Sequence, residues 1–167
     1  MIGVGIGVGF QCGTGAHVAA TSNLLTFTEQ FDNAIWEKDS VIVVANAATD
    51  PLGGLTADSL SFLLSGAVSQ LSSAGGVSGD SRDDAAVTTA WTRFSSTASI
   101  DGNPYVGSVY LKTLAGTATV TLALGIDGEA VRFTLTDFGG LGPFEIVAWG
   151  AQLETGTVPT TYVPRTT

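Results

Sequence analysis

The sequence predicts an all-β protein: an antiparallel β-sandwich of jelly-roll type with an extended N-terminal arm. Gly, Thr, Ser, Ala and Val dominate the chain, with 22 Gly among 167 residues, and this composition favours strands and turns over helices. Apolar and polar residues alternate through much of the second half, which is the pattern of half-buried strands. Gly-containing turns separate these segments without intervening long helices, so a parallel α/β sheet is not expected.

One domain follows an N-terminal segment of different character. The hydrophobic fraction of 44% is enough for a sizeable core in a single domain. We assign residues 1–22 to a Gly-rich arm and linker, and residues 23–167 to the sandwich.

The first ten residues alternate between apolar side chains and Gly. In an extended strand, the apolar side chains point to one face and the other face carries no side chains. Such a strand can add to a sheet edge, and it is prone to aggregate when left in water. The alternatives are a first strand of the domain's own sheet and a disordered leader. We predict an assembly arm that docks on another subunit through Ile2, Val4, Ile6, Val8 and Phe10.

The next segments predict a turn-rich start to the sandwich. The capping-box spacing of residues 26–29 predicts a short helical turn over about 28–37, ending at an inward-facing Trp36. Apolar runs predict strands at 41–45 and 61–64, on either side of a turn at 50–54.

The later segments predict a loop and then a series of strands. Residues 72–84 are rich in Ser, Gly and Asp and predict a long loop. In the last alternating segment, we expect Val147, Trp149, Ala151 and Leu153 to share one inward face. Alternation predicts the remaining strands at 91–94, 105–112, 117–124, 130–136 and 144–153.

The charge balance and the scarcity of His and Cys argue against several functions. The net charge is −9 and basic residues form no run, so a nucleic-acid partner is not expected. His17 is the only histidine and Cys12 the only cysteine, too few for a His/Cys metal centre or an intrachain disulfide. We therefore predict no catalytic residues, no metal and no cofactor. No apolar run approaches about 20 residues, so membrane insertion is not expected either.

Three carboxylates cluster at residues 80–84, inside the predicted loop. This segment lacks the Gly and Glu positions of an EF-hand, and we interpret it as a solvated acidic loop that Arg82 partly balances. A glycosidase needs two carboxylates across a cleft, and no spacing in the sequence identifies such a pair.

Sugar binding requires exposed aromatic faces flanked by hydrogen-bonding groups. Trp36 and Trp149 lie in apolar patterns and are predicted to be core residues. Trp91, Tyr105 and Tyr110 are the other aromatic candidates, of which Trp91 and Tyr105 flank loops and are the candidate glycan-binding residues.

Two segments near the ends of the chain resemble a module of bacteriophage tail, fibre and head-decoration proteins. They are residues 23–36 (NLLTFTEQFDNAIW) and 149–164 (WGAQLETGTVPTTYVP). Residues 107–112 (GSVYLK) are similar to the SVYLK strand of that module, and residues 45–48 and 56–60 are similar to its NA…TADKL stretch. The module's fold resembles carbohydrate-binding jelly rolls.

One feature departs from the module's order. Its Trp-x-Arg strand is expected after SVYLK, whereas residues 91–93 (WTR) precede residues 107–112 in this chain. The middle of the chain therefore carries less of the resemblance than its two ends.

The resemblance implies a structural protein of the virion, either a head-decoration protein or a fibre or tail component. Its expected partners are other copies of itself, as a trimer, and other virion proteins. The low charged fraction of 13% fits a surface that other chains cover. The alternative is a carbohydrate-binding module that recognises host surface glycans, and a glycan depolymerase is a distant third.

Overall fold

The computed structural model describes residues 23–75, 79–128, 130–137 and 144–167, and these residues form an all-β structure without a helix. The predicted arm, together with Cys12 and His17, lies outside the described residues. The predicted all-β antiparallel class is confirmed. The strands are β1 (Glu37–Ala48), β2 (Ala57–Gly75), β3 (Ser81–Val87), β4 (Thr92–Ile100), β5 (Asn103–Thr113), β6 (Ala118–Asp127), β7 (Ala130–Asp137) and β8 (Phe144–Thr155).

The strands form one antiparallel sheet that is nearly closed into a barrel. Their order is β3-β6-β7-β2-β8-β5-β4, and β1 pairs with β2 outside this path. Side chains connect β3 and β4, the first and last strands of this order. The Ser96 hydroxyl of β4 donates to the Asp83 carboxylate of β3 at 2.6 Å. The hydroxyls of Ser81 and Ser96 lie 2.7 Å apart across the same seam. The terminal strands are therefore held together by polar side chains.

The long strand β2 takes part in both halves of the sheet. Its residues 58–62 pair with β8, and its residues 67–75 pair with β7. Gly66 lies between these two stretches, where a Cβ atom would come within 2.7 Å of the Ser40 carbonyl oxygen of β1. Only glycine permits so close an approach of two backbones. Gly66 thus marks the position where β2 passes from one half of the sheet to the other.

The main core lies inside the curved sheet and contains the Trp36 ring, as predicted. That ring packs against Phe31 at a centroid distance of 4.8 Å and against Phe133 of β7 at 6.0 Å. Its indole nitrogen donates to the Phe27 carbonyl oxygen at 3.0 Å, which satisfies the one polar atom of the side chain. Trp36 thereby anchors the segment before β1 to the sheet.

The prediction of a helical turn over 28–37 is wrong. Successive turns replace it, closed by hydrogen bonds from the amides of Gln30, Asn33 and Trp36 to the carbonyl oxygens three residues before each. The buried Asp58 carboxylate of β2 accepts the Phe31 amide at 2.7 Å and draws the segment toward the sheet. This tertiary hydrogen bond satisfies a donor that a helix would have used.

The prediction of a loop over 72–84 is wrong at both of its ends, because β2 continues to Gly75 and β3 begins at Ser81. The acidic segment therefore lies largely on a strand. Asp84 accepts a hydrogen bond from the Thr121 hydroxyl of the neighbouring β6, and Arg82 lies 3.9 Å from Asp84. Cross-strand polar pairs stabilise this edge, so its short polar side chains do not signal a loop.

Candidate functional site

The two terminal segments that carry the resemblance pack together. The Asn23 side chain is fully buried, and its amide nitrogen donates to the carbonyl oxygens of Ala151 and Val163 at 2.9 and 3.1 Å. Its amide oxygen accepts the backbone amides of Leu25 and Leu153 at 3.2 and 3.1 Å. One side chain thus joins the start of the domain, strand β8 and the C-terminal segment.

The buried polar residues of β8 hold the C-terminal segment in place. The Gln152 side-chain oxygen accepts the Val163 amide at 2.8 Å. The Glu154 carboxylate accepts the Thr160 amide at 2.7 Å and the Thr160 hydroxyl at 2.6 Å. Buried polar groups require such partners. The side chains of residues 152–154 therefore hold residues 160–163 against strand β8.

Thr28 connects the same segments on the other side. Its backbone carbonyl oxygen accepts the Ala151 amide at 2.9 Å, and its amide donates to the Arg165 carbonyl oxygen at 2.9 Å. Its hydroxyl lies 2.6 Å from the Tyr162 hydroxyl. The turns after Asn23 are therefore enclosed between β8 and the C-terminal segment.

A β-bulge at Gly150 changes the face on which the β8 side chains lie. Ser108 of β5 pairs with Gln152, whereas Tyr110 pairs with Trp149, so β8 has one extra residue between these pairs. Gly150 adopts a positive φ of 65°, which glycine tolerates best. Strand alternation is interrupted at this point.

The prediction that Val147, Trp149, Ala151 and Leu153 share one face is therefore wrong. Ala151 and Leu153 belong to the main core, while Val147 and Trp149 form a second apolar cluster with Ala57. Trp149 is still buried, with 3% of its surface exposed. The extra residue at the bulge turns its ring away from the main core.

Trp149 forms the base of an aromatic groove of about 430 Å³. Its ring lies between Tyr110, at a centroid distance of 5.5 Å, and Tyr162, at 4.6 Å. Its indole nitrogen donates to the Thr56 hydroxyl at 2.9 Å. The walls are completed by Pro51, Leu52, Arg93, Pro159, Thr160 and Thr161.

Arg93 supplies the positive charge of the groove. Its guanidinium lies 5.4 Å from the centre of the Tyr110 ring, a cation–π arrangement. Its terminal nitrogens donate to the Thr160 carbonyl oxygen at 2.5 Å and to the Ser108 hydroxyl at 2.8 Å. These contacts connect strands β4 and β5 to the C-terminal segment at the rim of the groove.

The pKa values of two carboxyl groups next to the groove are shifted in opposite directions. Burial raises the pKa of Glu29, the hydrogen bond from Tyr162 lowers it, and the charge of Asp50 raises it further, so the net shift is upward. Burial alone would raise the pKa of Asp50, but hydrogen bonds from the Thr56 hydroxyl and nearby backbone amides outweigh it and lower that pKa. Asp50 thereby holds the predicted turn at 50–54, which is confirmed.

The two candidate glycan-binding residues lie outside the groove lining. Trp91 is partly buried at the edge of the second cluster, with the Lys112 ammonium 4.8 Å from its ring centre. Tyr105 belongs to the main core and is 7% exposed. The groove instead contains Tyr110 and Tyr162, and the only sequence signal for Tyr162 is its place in the TTYVP segment.

The described lining of the groove contains no carboxylate, His or Cys side chain. Within the ranges that the structure describes, no three His, Cys, Asp or Glu side chains are grouped so that they could hold a metal ion. The same ranges contain no helix that could span a membrane. No protein-family model and no curated protein matches this chain.

Proposed function

We propose that this chain is a structural component of a bacteriophage virion, either a head-decoration protein or a fibre or tail component. The observation that carries the proposal is that the two terminal segments pack against each other and are joined by hydrogen bonds. Hydrogen bonds of the Asn23 and Tyr162 side chains join them across 128 to 140 positions of sequence. Within the second segment, the Gln152 and Glu154 side chains hold residues 160–163 against β8. Side chains that carry the resemblance thus fix the packing of the two segments, which favours kinship over chance similarity.

We also propose that the nearly closed sheet is a variant of the jelly roll. One half consists of β4, β5, β8 and the start of β2, and the other of β3, β6, β7 and the end of β2. Side chains from both halves, such as Leu111 and Phe133, meet in one core cluster, as in packed sheets. The passage of β2 near Gly66 supports two layers that share a strand.

Assembly with other copies is part of this proposal. Ile42 and Val44 of β1 are 53% and 52% exposed, and Leu63 of β2 is 45% exposed. Ile42 pairs with Ser61, which places Leu63 on the same face two residues further along β2. An apolar face of this kind, on a chain with few charges, is typical of a surface that another subunit covers. The proposed trimer uses this face together with the arm at residues 2–10.

Detection in purified particles tests the virion role. An antibody raised against residues 23–167 should label the head or the tail of gradient-purified particles in immunogold electron microscopy. Antibody that has been adsorbed with the pure protein provides the control. The proposal would be overturned if neither immunogold labelling nor mass spectrometry detected the protein in purified particles.

Sedimentation equilibrium tests the assembly face. We expect Ile42→Asp to shift the protein from oligomer to monomer, because a carboxylate would be buried at the contact. Leu71→Asp is the matched control, since Leu71 is similarly exposed at 43% but lies on the other half of β2. Equal effects of the two substitutions, or a monomeric wild type, would contradict the proposed face.

A further inference from the structure

Strand β1 presents a free backbone edge over residues 41–48. Among the strands that the structure describes, β1 pairs with β2 alone, so its other edge turns a row of N–H and C=O groups away from the sheet. We propose that this edge receives residues 2–10 of a second copy as an added strand, bound through main-chain hydrogen bonds. The proposal rests on the assembly proposed above, and it assigns that assembly a position on the sheet edge and a mode of binding.

The edge of β1 lacks the usual protection against strand addition. Edge strands are commonly blunted by charged side chains or by Pro. Residues 40–49 (SVIVVANAAT) contain neither, although the chain carries a net charge of −9. Ile42 and Val44 on this strand are 53% and 52% exposed. The edge is therefore suited to an uncharged strand from another chain, because main-chain hydrogen bonds supply the binding and no charge opposes it.

Residues 2–10 match this edge in composition and in length. They also contain no charge and no Pro, and their apolar residues recur at every second position. Residues that lie opposite each other in adjacent strands share a face, so the apolar residues of the arm can extend the row formed by Ile42 and Val44. At about 3.4 Å per residue, the arm extends over about 30 Å and residues 41–48 over about 27 Å.

The chain enters the described domain far along β8 from this edge. The Leu24 amide donates to the Leu153 carbonyl oxygen at 2.7 Å, whereas Val43 lies opposite the residue of β2 that pairs with Ile146. Leu153 and Ile146 are about 24 Å apart along the strand. Residues 11–22 span at most about 40 Å, which is enough to reach a neighbouring copy. A ring in which each copy donates one arm and accepts another leaves none of these edges free.

Amide hydrogen exchange of the full chain tests the mode of binding, at concentrations above and below the one at which the oligomer dissociates. Strand addition should slow the exchange of alternate amides in residues 41–47 by at least about tenfold in the oligomer, because these amides gain carbonyl partners. Unchanged exchange of these amides in a stable oligomer would overturn strand addition and leave the assembly standing. A protein that is monomeric at every concentration would overturn both, and absence from purified particles concerns the virion role alone.

Cross-linking through Cys12, the only cysteine, tests whether the strand comes from a second copy. Cys12 closely follows the arm, so Ser40→Cys or Ala47→Cys, at opposite ends of the edge, should react with it through a short bifunctional maleimide. One of these variants should give covalent trimers, whereas the wild type, with one cysteine per chain, cannot exceed a dimer. Leu71→Cys is the matched control, because Leu71 is 43% exposed on the other half of β2. Cross-links within single chains only, no covalent trimers from either variant, or an equal yield from Leu71→Cys would overturn the proposal.

Discussion

Gly150 determines the environment of Trp149, although it has no side chain of its own. At its φ of 65°, an added Cβ atom would lie 3.3 Å from the Tyr162 ring and 3.4 Å from the Tyr110 ring. The bulge therefore combines a left-handed backbone with close packing beneath two aromatic residues. Both features favour glycine.

Gly150→Ala should lower the free energy of unfolding more than Gly116→Ala does. Gly116 has a similar φ of 69° but nothing within 4 Å of an added Cβ atom, so it isolates the backbone strain of about 1–2 kcal/mol. At Gly150, crowding against the rings adds to that strain. Urea denaturation of both variants measures the difference, and equal losses would show that the rings move aside freely.

Trp149→Ala should destabilise the fold more than Trp91→Ala. Trp149 is 3% exposed, contacts two tyrosine rings and donates to Thr56, and truncation of a buried Trp typically costs about 3–5 kcal/mol. Trp91 is only partly buried, at the edge of the same cluster. Thermal melting monitored by circular dichroism measures the two losses. Similar drops in melting temperature would mean that the deeper burial of Trp149 adds nothing to its contribution to stability.

Asp50 should make stability depend on pH in the acidic range. Its pKa is lower in the folded protein than in the unfolded chain, so its stabilising contribution is present above the unfolded pKa of about 3.9 and is lost as the pH falls through the folded pKa. Glu29 and Asp58 have raised pKa values and act in the opposite sense, because their contributions are greatest at low pH.

Asp50→Asn isolates this contribution. We expect the variant to melt below the wild type at pH 7, where the carboxylate accepts hydrogen bonds from Thr56 and the turn. The difference in melting temperature should shrink as the pH is lowered below about 3.9. A difference that stays constant with pH would show that Asp50 acts through its shape rather than its charge.

At the scale of elements, the turns before β1 depend on one cation. The Lys38 ammonium donates to four backbone carbonyl oxygens, at distances from 2.8 to 3.3 Å. These oxygens belong to Phe31, Asp32, Asn33 and Trp36. Because the segment is not helical, its carbonyl groups need other partners, and Lys38 supplies them.

Lys38→Met should lower the free energy of unfolding by about 1.5–3 kcal/mol, the usual range for hydrogen bonds to a charged group. Methionine keeps much of the apolar stem but removes the ammonium, whose three N–H donors serve these four carbonyl oxygens. Lys112→Met is the control, because the Lys112 ammonium lies over the Trp91 ring, a contact worth about 0.5–1 kcal/mol at an exposed site. A smaller loss for Lys38→Met than for Lys112→Met would contradict this role.

At the scale of the whole molecule, the described residues form the sheet and a continuous core among themselves. Among them, Asn23 is the first to contact β8 and the C-terminal segment, and the described main core begins at Leu25. The apolar surface at Ile42 and Val44 remains exposed in this closed domain. Folding and attachment are therefore expected to be separable.

Deletion of residues 2–10 should leave the melting transition nearly unchanged and abolish incorporation into particles. The five apolar side chains of the arm each contribute up to about 1.5–3 kcal/mol on full burial, and they need a surface to be buried against. Circular dichroism melting and analysis of purified particles measure the two effects. Loss of folding would make the arm an integral strand, and normal incorporation would show that it does not attach the protein.

The sequence by itself determined the class of the fold and most strands of the second half. Alternation identified β5, β6 and β7 because alternate apolar side chains of each strand lie in the main core, and the apolar context of Trp36 placed it there as well. The sequence did not reveal β3, because its polar side chains are paired across strands rather than buried by an apolar pattern. Nor did it reveal that hydrogen bonds to Asp58 and from Lys38 would take the place of a helical turn.

Only the tertiary structure decided the site. Strand periodicity describes a regular strand, and the one extra residue at Gly150 moves Trp149 and Ala151 to opposite faces. The groove also depends on Tyr162, which the hydrogen bond with Thr28 fixes across 134 positions of sequence. A local pattern carries no information about contacts at that distance, because they arise from the packing of the whole chain.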